Sequence, residues 1–178
     1  MPEVFGAKRP IRRVTMAEAK LNTGQVLLGV NDLFIGPRSH TSARYTIRTG
    51  DRSERHSSSG IIVSTGLGST GWFRSILAGA TGIASALSGR PIKIDEKKAF
   101  AWDADYLYFS VREPWPSKTS SAHITFGKVT PKTPLVLVSH MPGDGVIFSD
   151  GIESDFLEFN AGTEATIHLA AKKGHLVT

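Results

Sequence analysis

Ser64-Thr65-Gly66-Leu67-Gly68-Ser69-Thr70-Gly71-Trp72 is the stretch on which the reading of this chain turns. It follows a short apolar run, Gly60-Ile61-Ile62-Val63-Ser64, of the kind found in a strand buried on both faces. After it, Ile76, Leu77, Ala80, Ile83, Ala84 and Leu87 recur at intervals of three and four, so the spacing predicts one helix from about Trp72 to Leu87. Gly79 and Gly82 each weaken that helix by about 1 kcal/mol relative to alanine, so a break near Gly82 and a continuous helix are both compatible with the pattern. Ser88-Gly89-Arg90-Pro91 supplies the stop. A glycine-rich loop in this position lets a ligand approach the main chain without a Cβ in the way. The first amides of the following helix favour an anion there. Ser69 and Thr70 add hydroxyl groups, so the loop reads as a cradle for a phosphate- or nucleotide-bearing ligand.

On both sides of the loop the chain reads as short strands. Gln25 to Val30, Leu33 to Ile35 and Arg44 to Arg48 precede it, with a turn at Thr49-Gly50-Asp51. Met16 to Leu21 suits either a strand or a helix, with its alternation favouring a strand. Beyond Pro91 the runs are Ala99 to Trp102, Tyr106 to Val111, His123 to Phe126, Leu135 to Ser139, Val146 to Phe148, Phe156 to Phe159 and Ala165 to Ala170. Turn residues separate them. The expected fold is therefore mainly β, a layered sandwich-like domain spanning residues 1–178 with one short helix after the glycine loop.

The bulk properties narrow the function. A chain of 178 residues, 40% hydrophobic and 21% charged, fits one soluble globular domain. With no cysteine, it has neither a disulfide framework nor a thiolate metal site. The absence of a signal-like or membrane-length apolar run makes a cytoplasmic protein that touches no membrane the expectation. The formal charge of +5 comes from scattered residues: Arg12-Arg13, Arg38, Arg44, Arg48, Arg52, Arg55, Lys97-Lys98 and Lys172-Lys173. Without clustering and interleaved aromatics this is a solvated surface rather than a nucleic-acid interface. Arg38 and Arg44 could meet a phosphate, but a solvated surface role is the favoured reading for both. The six histidines form no pair at metal-ligand spacing, so no metal site is expected.

The loop has three readings. As a plain connector it would use its serine and threonine residues as helix caps. As a dinucleotide fingerprint, Gly66-x-Gly68-x-x-Gly71 matches literally, with Asp95 ending the run Ile92-Lys93-Ile94. That fold requires repeated strand–helix alternation, and the residues after Pro91 offer strands only. The third reading rests on a resemblance carried by Gly29-Val30-Asn31-Asp32-Leu33-Phe34-Ile35, Gly60 to Trp72, and Asp150-Gly151.

Together these segments resemble the C-terminal half of the NAD kinase family. There an Asn-Glu pair precedes, by about thirty residues, a strand running into Thr-Pro-Thr-Gly-Ser-Thr-Ala-Tyr, and an Asp-Gly pair follows near the end. The resemblance implies a β-rich lobe that binds NAD against a smaller α/β lobe. The reaction transfers a phosphoryl group from ATP or polyphosphate, with Mg, to the 2′-hydroxyl of NAD's adenosine ribose. Carried over, Asn31, Asp32, Thr70, Gly71, Trp72 and Ser75 would bind the nucleotide, with Thr65, Gly66, Gly68 and Ser69 supporting the loop. Asp32 is shorter than the family's glutamate, and Trp72 keeps a stacking face while losing the tyrosine hydroxyl. The family's Gly-Gly-Asp-Gly, which supplies the catalytic aspartate, has no match upstream of Asn31. Gly143-Asp144-Gly145 reads as a tight hairpin turn instead. The resemblance thus implies a C-terminal lobe whose N-terminal lobe is missing, inactive alone, and self-associating as a homodimer or homotetramer, for which strand edges give a physical basis. A non-catalytic nucleotide- or sugar-phosphate-binding module and a lipid or sugar kinase lobe are the alternatives.

Overall fold

A computed structural model describes residues 9–93 and 100–178. Among the described residues twelve strands pair antiparallel into two six-stranded sheets. The first sheet has the order β2 (Val26–Gly29), β1 (Ile11–Leu21), β12 (Glu164–Val177), β9 (Leu135–Ser139), β4 (Ala43–Thr49), β5 (Arg52–Ser58). The second has β11 (Phe156–Glu158), β10 (Gly145–Ser149), β3 (Asp32–Pro37), β6 (Ile61–Ser64), β7 (Leu107–Val111), β8 (Phe126–Val129). Between the sheets lies one core. Tyr45, Ile47, Leu135, Leu137 and Ile167 face Leu33, Ile35, Ile61, Leu107, Phe109 and Ile147, all of them buried. Met16 to Leu21 belongs to β1, as the alternation favoured, with a bulge between Thr15 and Ala17.

Gly60 to Ser64 meets its expectation for a physical reason. β6 sits between β3 and β7, with Ile61 and Val63 in the sandwich core. Its other face is covered as well: Ile62 packs with Phe34 and Val146 in a second apolar cluster, against which Trp72 and Ile76 lie. Helix α1 (Trp72–Ser88) starts from that cluster after a 3-10 turn (Leu67–Thr70). It runs unbroken through Gly79 and Gly82 and ends at Gly89, which adopts the left-handed conformation (φ 66°). Trp72, Phe73 and Ile76 dock its first turn. Further along, the same stripe is exposed, Ile83 at 65% and Leu87 at 85%.

Several expected elements move. Phe100 to Trp102 is irregular rather than a strand, while Ala99 and Asp95 lie outside the described residues. The strand expected at His123 to Phe126 begins only at Phe126. His123 and Ile124 instead give their amides to the Glu54 carboxylate. β5, with the polar sequence Arg52–Ser58, escaped the pattern because only His56 and Ser58 of its residues are buried. Gly143-Asp144-Gly145 is not a hairpin turn: it carries the chain from β9 in one sheet to β10 in the other. The edges are short or covered. β2, β8 and β11 have four, four and three residues, and the amides of Trp115 and Ser121 bond to Ser57 and Arg55 of β5. Short, covered edges blunt strand pairing between copies.

A Cβ placed on Gly79 meets nothing within 4 Å, so only the helix propensity changes there. We expect Gly79→Ala to raise the stability of the domain by about 0.5–1 kcal/mol, read from urea denaturation midpoints at unchanged slope.

Candidate functional site

Asp32 and Phe34 share one side of β3, opposite to Leu33 and Ile35 in the core, so they stand on the outer face of the second sheet. The corner leading into β3 is held by side chains from elsewhere in the chain. Asp150, at φ 55°, accepts three main-chain N–H groups: Val30 at 2.9 Å on Oδ2, Asn31 at 2.6 Å and Asp32 at 3.2 Å on Oδ1. Its own amide donates to the Asp32 carbonyl at 3.1 Å. From the other side the Thr65 hydroxyl donates to the carbonyls of Val30 (2.6 Å) and Asn31 (3.1 Å), and the Thr65 amide donates to Asn31 (2.9 Å). The corner is thus fixed through its backbone, and the Asn31 side chain is left exposed.

The glycine loop packs onto this corner. A Cβ on Gly68 would overlap the Asn31 carbonyl, and one on Gly66 would overlap the Ala101 carbonyl. These two glycines serve close approach of the chain to itself. The Gly68 amide donates to Thr65 Oγ1 at 3.2 Å, and the Ser69 hydroxyl donates to the Gly66 carbonyl at 2.7 Å. Ser69 is therefore not a hydroxyl donor for a ligand, contrary to the expectation from its position. Thr70 and Gly71 remain on the open side, and the space where a Gly71 Cβ would stand holds no atom nearer than 3.6 Å. Gly71 caps α1 without any side-chain hydrogen bond, and the first turn carries no acid. Ser75 is exposed one turn on, its hydroxyl 3.5 Å from the Gly71 carbonyl.

Trp72 joins the loop to the sheet face. Its ring lies parallel to Phe34, two residues beyond Asp32, with centroids 5.8 Å apart and an angle of 8°. Phe34 in turn stacks on Phe148 at 4.8 Å. An open cleft of about 510 Å³ on this face is lined by Trp72, with Arg112 5.3 Å from its ring centre, by Phe34, Phe148 and Phe156, and by Arg38. Arg44 takes no part in it, since β4 lies in the opposite sheet. The aromatic residues at outward positions were visible as exceptions to strict alternation, but nothing in the sequence singles out Arg112. Asp150-Gly151 was expected as a marker of the family resemblance. The structure gives Asp150 a structural task as well.

With this geometry in view, the likenesses can be stated. No protein-family profile and no curated protein matches the sequence. Solved structures do match: a yeast NADH kinase complexed with NADH, at a TM-score of 0.67 and 15% identity over 99% of this chain. An NAD kinase from Archaeoglobus fulgidus in complex with ATP matches at 0.62 and 13%, also over 99% of this chain. The likeness is one of fold. The chain spans 47% and 58% of those two proteins, about half their length.

Burial, and then the nearby charge of Asp150, push the Asp32 carboxyl above its ordinary range. A carboxyl raised in the folded state adds stability below its unfolded pKa and loses it as the pH rises through its folded pKa. Asp32→Asn removes that charge, so we expect the variant to melt higher than wild type near pH 7 and to lose the advantage near pH 3, where Asp32 is protonated in both states. Thermal melts across this range check the sign.

Proposed function

We propose that this chain is the nucleotide-binding β lobe of an NAD kinase-like phosphotransferase. Joined to an N-terminal lobe bearing Gly-Gly-Asp-Gly, it would phosphorylate the 2′-hydroxyl of NAD's adenosine ribose. The observation that carries this reading is the corner itself: Asp32 shares a sheet face with Phe34, on which the Trp72 ring stacks, and exposed Asn31 stands just before it, where the Thr65 end of the glycine loop is bonded to the chain. The Asn31 amide offers both donor and acceptor, and the Asp32 carboxylate accepts from a donor-rich edge such as an adenine amine or a ribose hydroxyl. Trp72 supplies a stacking surface, while Gly71 leaves the main chain open to a phosphate or ribose. Ser75 adds a hydroxyl one turn further on. The fold likeness to two kinases of NAD or NADH supports the assignment.

Catalysis belongs to the joined lobes. Phosphoryl transfer depends on positioning and on stabilising charge around the transferred group. Among the described residues no cluster of three or more His, Asp or Glu side chains is placed to hold a metal ion. In this reading ATP or polyphosphate with its metal would be held by the other lobe. What this chain contributes is recognition: orienting the adenosine ribose and excluding water from one side of it. A second reading is a non-catalytic nucleotide- or sugar-phosphate-binding module that uses the same corner, whose backbone is fixed without a ligand. Assembly as a homodimer or homotetramer, in a cytoplasmic setting, is part of the first reading.

Calorimetric titration with NAD, NADP and ATP tests the proposal. We expect weak binding of NAD that falls by about tenfold in Asn31→Ala, the loss of about one good hydrogen bond. We expect no NAD phosphorylation by the purified chain. Equal affinity for all three ligands, absence of NAD binding, or measurable turnover would each count against it.

A further inference from the structure

We propose that the outer half of α1 docks on an anionic lipid bilayer, lying along its surface with Ile83 and Leu87 toward the acyl chains and Arg90 and Lys93 at the headgroup phosphates. The inference stands on the helix and does not rest on the kinase reading.

Apolar residues recurring at three and four give a helix one face to bury. In α1 that face runs through Trp72, Ile76, Ala80, Ile83 and Leu87. Its beginning is used within the domain. Trp72 and Ile76 pack on the cluster of Phe34, Ile62 and Val146, and buried Phe73 stacks with Tyr108 and Phe126. Its continuation is not: Ala80 is exposed, Ile83 and Leu87 are 65% and 85% exposed, and Ile92, just past the helix, is 39% exposed. Single exposed aliphatic residues are ordinary on a protein surface. Three gathered at one end of an amphipathic helix, whose other end is packed, form a contact surface.

Cations stand where this stripe ends. The Ile92 amide donates to Ser85 Oγ at 2.8 Å, which folds the chain back on the last turn and keeps exposed Arg90 and Lys93 beside it. Among the described residues neither side chain has an ion-pair partner. Asp95, Glu96, Lys97 and Lys98 follow outside the described residues and carry two charges of each sign, which cancel. The helix itself contains no carboxylate.

Those charges select the occupant. A second copy laid along α1 would bring a second Arg90 and Lys93 to a helix with no acid to receive them, between chains of formal charge +5. An anionic bilayer satisfies both parts of the surface: the acyl boundary takes the aliphatic stripe, and the headgroups take the guanidinium and the ammonium. Among the described residues no helix is long and apolar enough to cross a membrane. A helix lying in the interface needs no such length, so the sequence-based expectation of no membrane contact, drawn from the lack of a spanning run, bears on crossing alone.

Flotation with vesicles tests this on the full chain. We expect vesicles of phosphatidylcholine with about a third phosphatidylserine to bind it at least tenfold tighter than phosphatidylcholine alone, the effect of two cations at a charged surface. The double variant Arg90→Gln, Lys93→Gln should abolish that preference. Ile83→Ser with Leu87→Ser should weaken binding to the anionic vesicles by about tenfold or more while melting like wild type, since both side chains are exposed. The chain has no cysteine, so Leu87→Cys and Ala78→Cys each accept an environment-sensitive dye at a single place. Position 78 lies on the opposite side of the helix from 87, so the dye should shift to the blue on anionic vesicles at 87 and not at 78. Absence of vesicle binding, equal binding to both compositions, binding unchanged by the serine pair, or equal dye shifts at the two positions would overturn the inference. So would a dimer in sedimentation that Leu87→Ser dissociates, because the stripe would then belong to a second copy.

Discussion

A single carboxylate organises the candidate site. Asp150 lies 120 residues downstream of Val30, yet it receives the consecutive amides of Val30, Asn31 and Asp32 and returns its own amide to the Asp32 carbonyl. Three adjacent N–H groups pointing the same way cannot be satisfied by a neighbouring strand, which takes only alternate groups. An anion accepting all of them solves the problem locally, and charge-assisted bonds of this type are the stronger ones. Thr65 then secures the opposite side of the same peptide units through two carbonyls. With the backbone held from both directions, Asn31 and Asp32 are left to face outward.

Consequences spread from that corner. The glycine loop must lie flat against Asn31 for Thr65 to reach it, and this is why Gly68 has no room for a side chain. The literal dinucleotide spacing of Gly66, Gly68 and Gly71 therefore arises from two contacts of the chain with itself and one open position. Once past Gly71, the chain starts a helix whose first residue covers Phe34, so the sheet face carrying Asp32 acquires an aromatic wall. Asp32 bears the cost of its place: desolvation and Asp150 both disfavour its charge.

Much of the fold was legible because strands obey local alternation. β3, β4, β6, β7, β9 and β10 all fall where the apolar runs stand, and Gly89 ends the helix as its φ requires. What escaped was determined at a distance. β5 is polar because its outer residues meet solvent, and its two buried residues, His56 and Ser58, are themselves polar. The segment around His123 loses its strand to a competitor, the Glu54 carboxylate that takes its amides. At the site, motif residues were visible as a spacing of glycines and hydroxyls, but the division of labour among them was not. Ser69 and Thr70 look equivalent in sequence, yet one hydroxyl is consumed by Gly66 and the other residue stays open. Arg112 had no local signal at all, since only the pairing of β6 with β7 brings it to Trp72.

The central claim is that Asp150 holds the Val30–Asp32 corner in place. Amide hydrogen exchange, followed residue by residue in wild type and Asp150→Asn, tests it most directly. The account predicts that protection at Val30, Asn31 and Asp32 falls by about tenfold or more, the loss of a charged acceptor, while Leu33 and Ile35 in the core strand keep theirs. Unchanged protection at the three corner amides, or a uniform loss across both sheets, would contradict it.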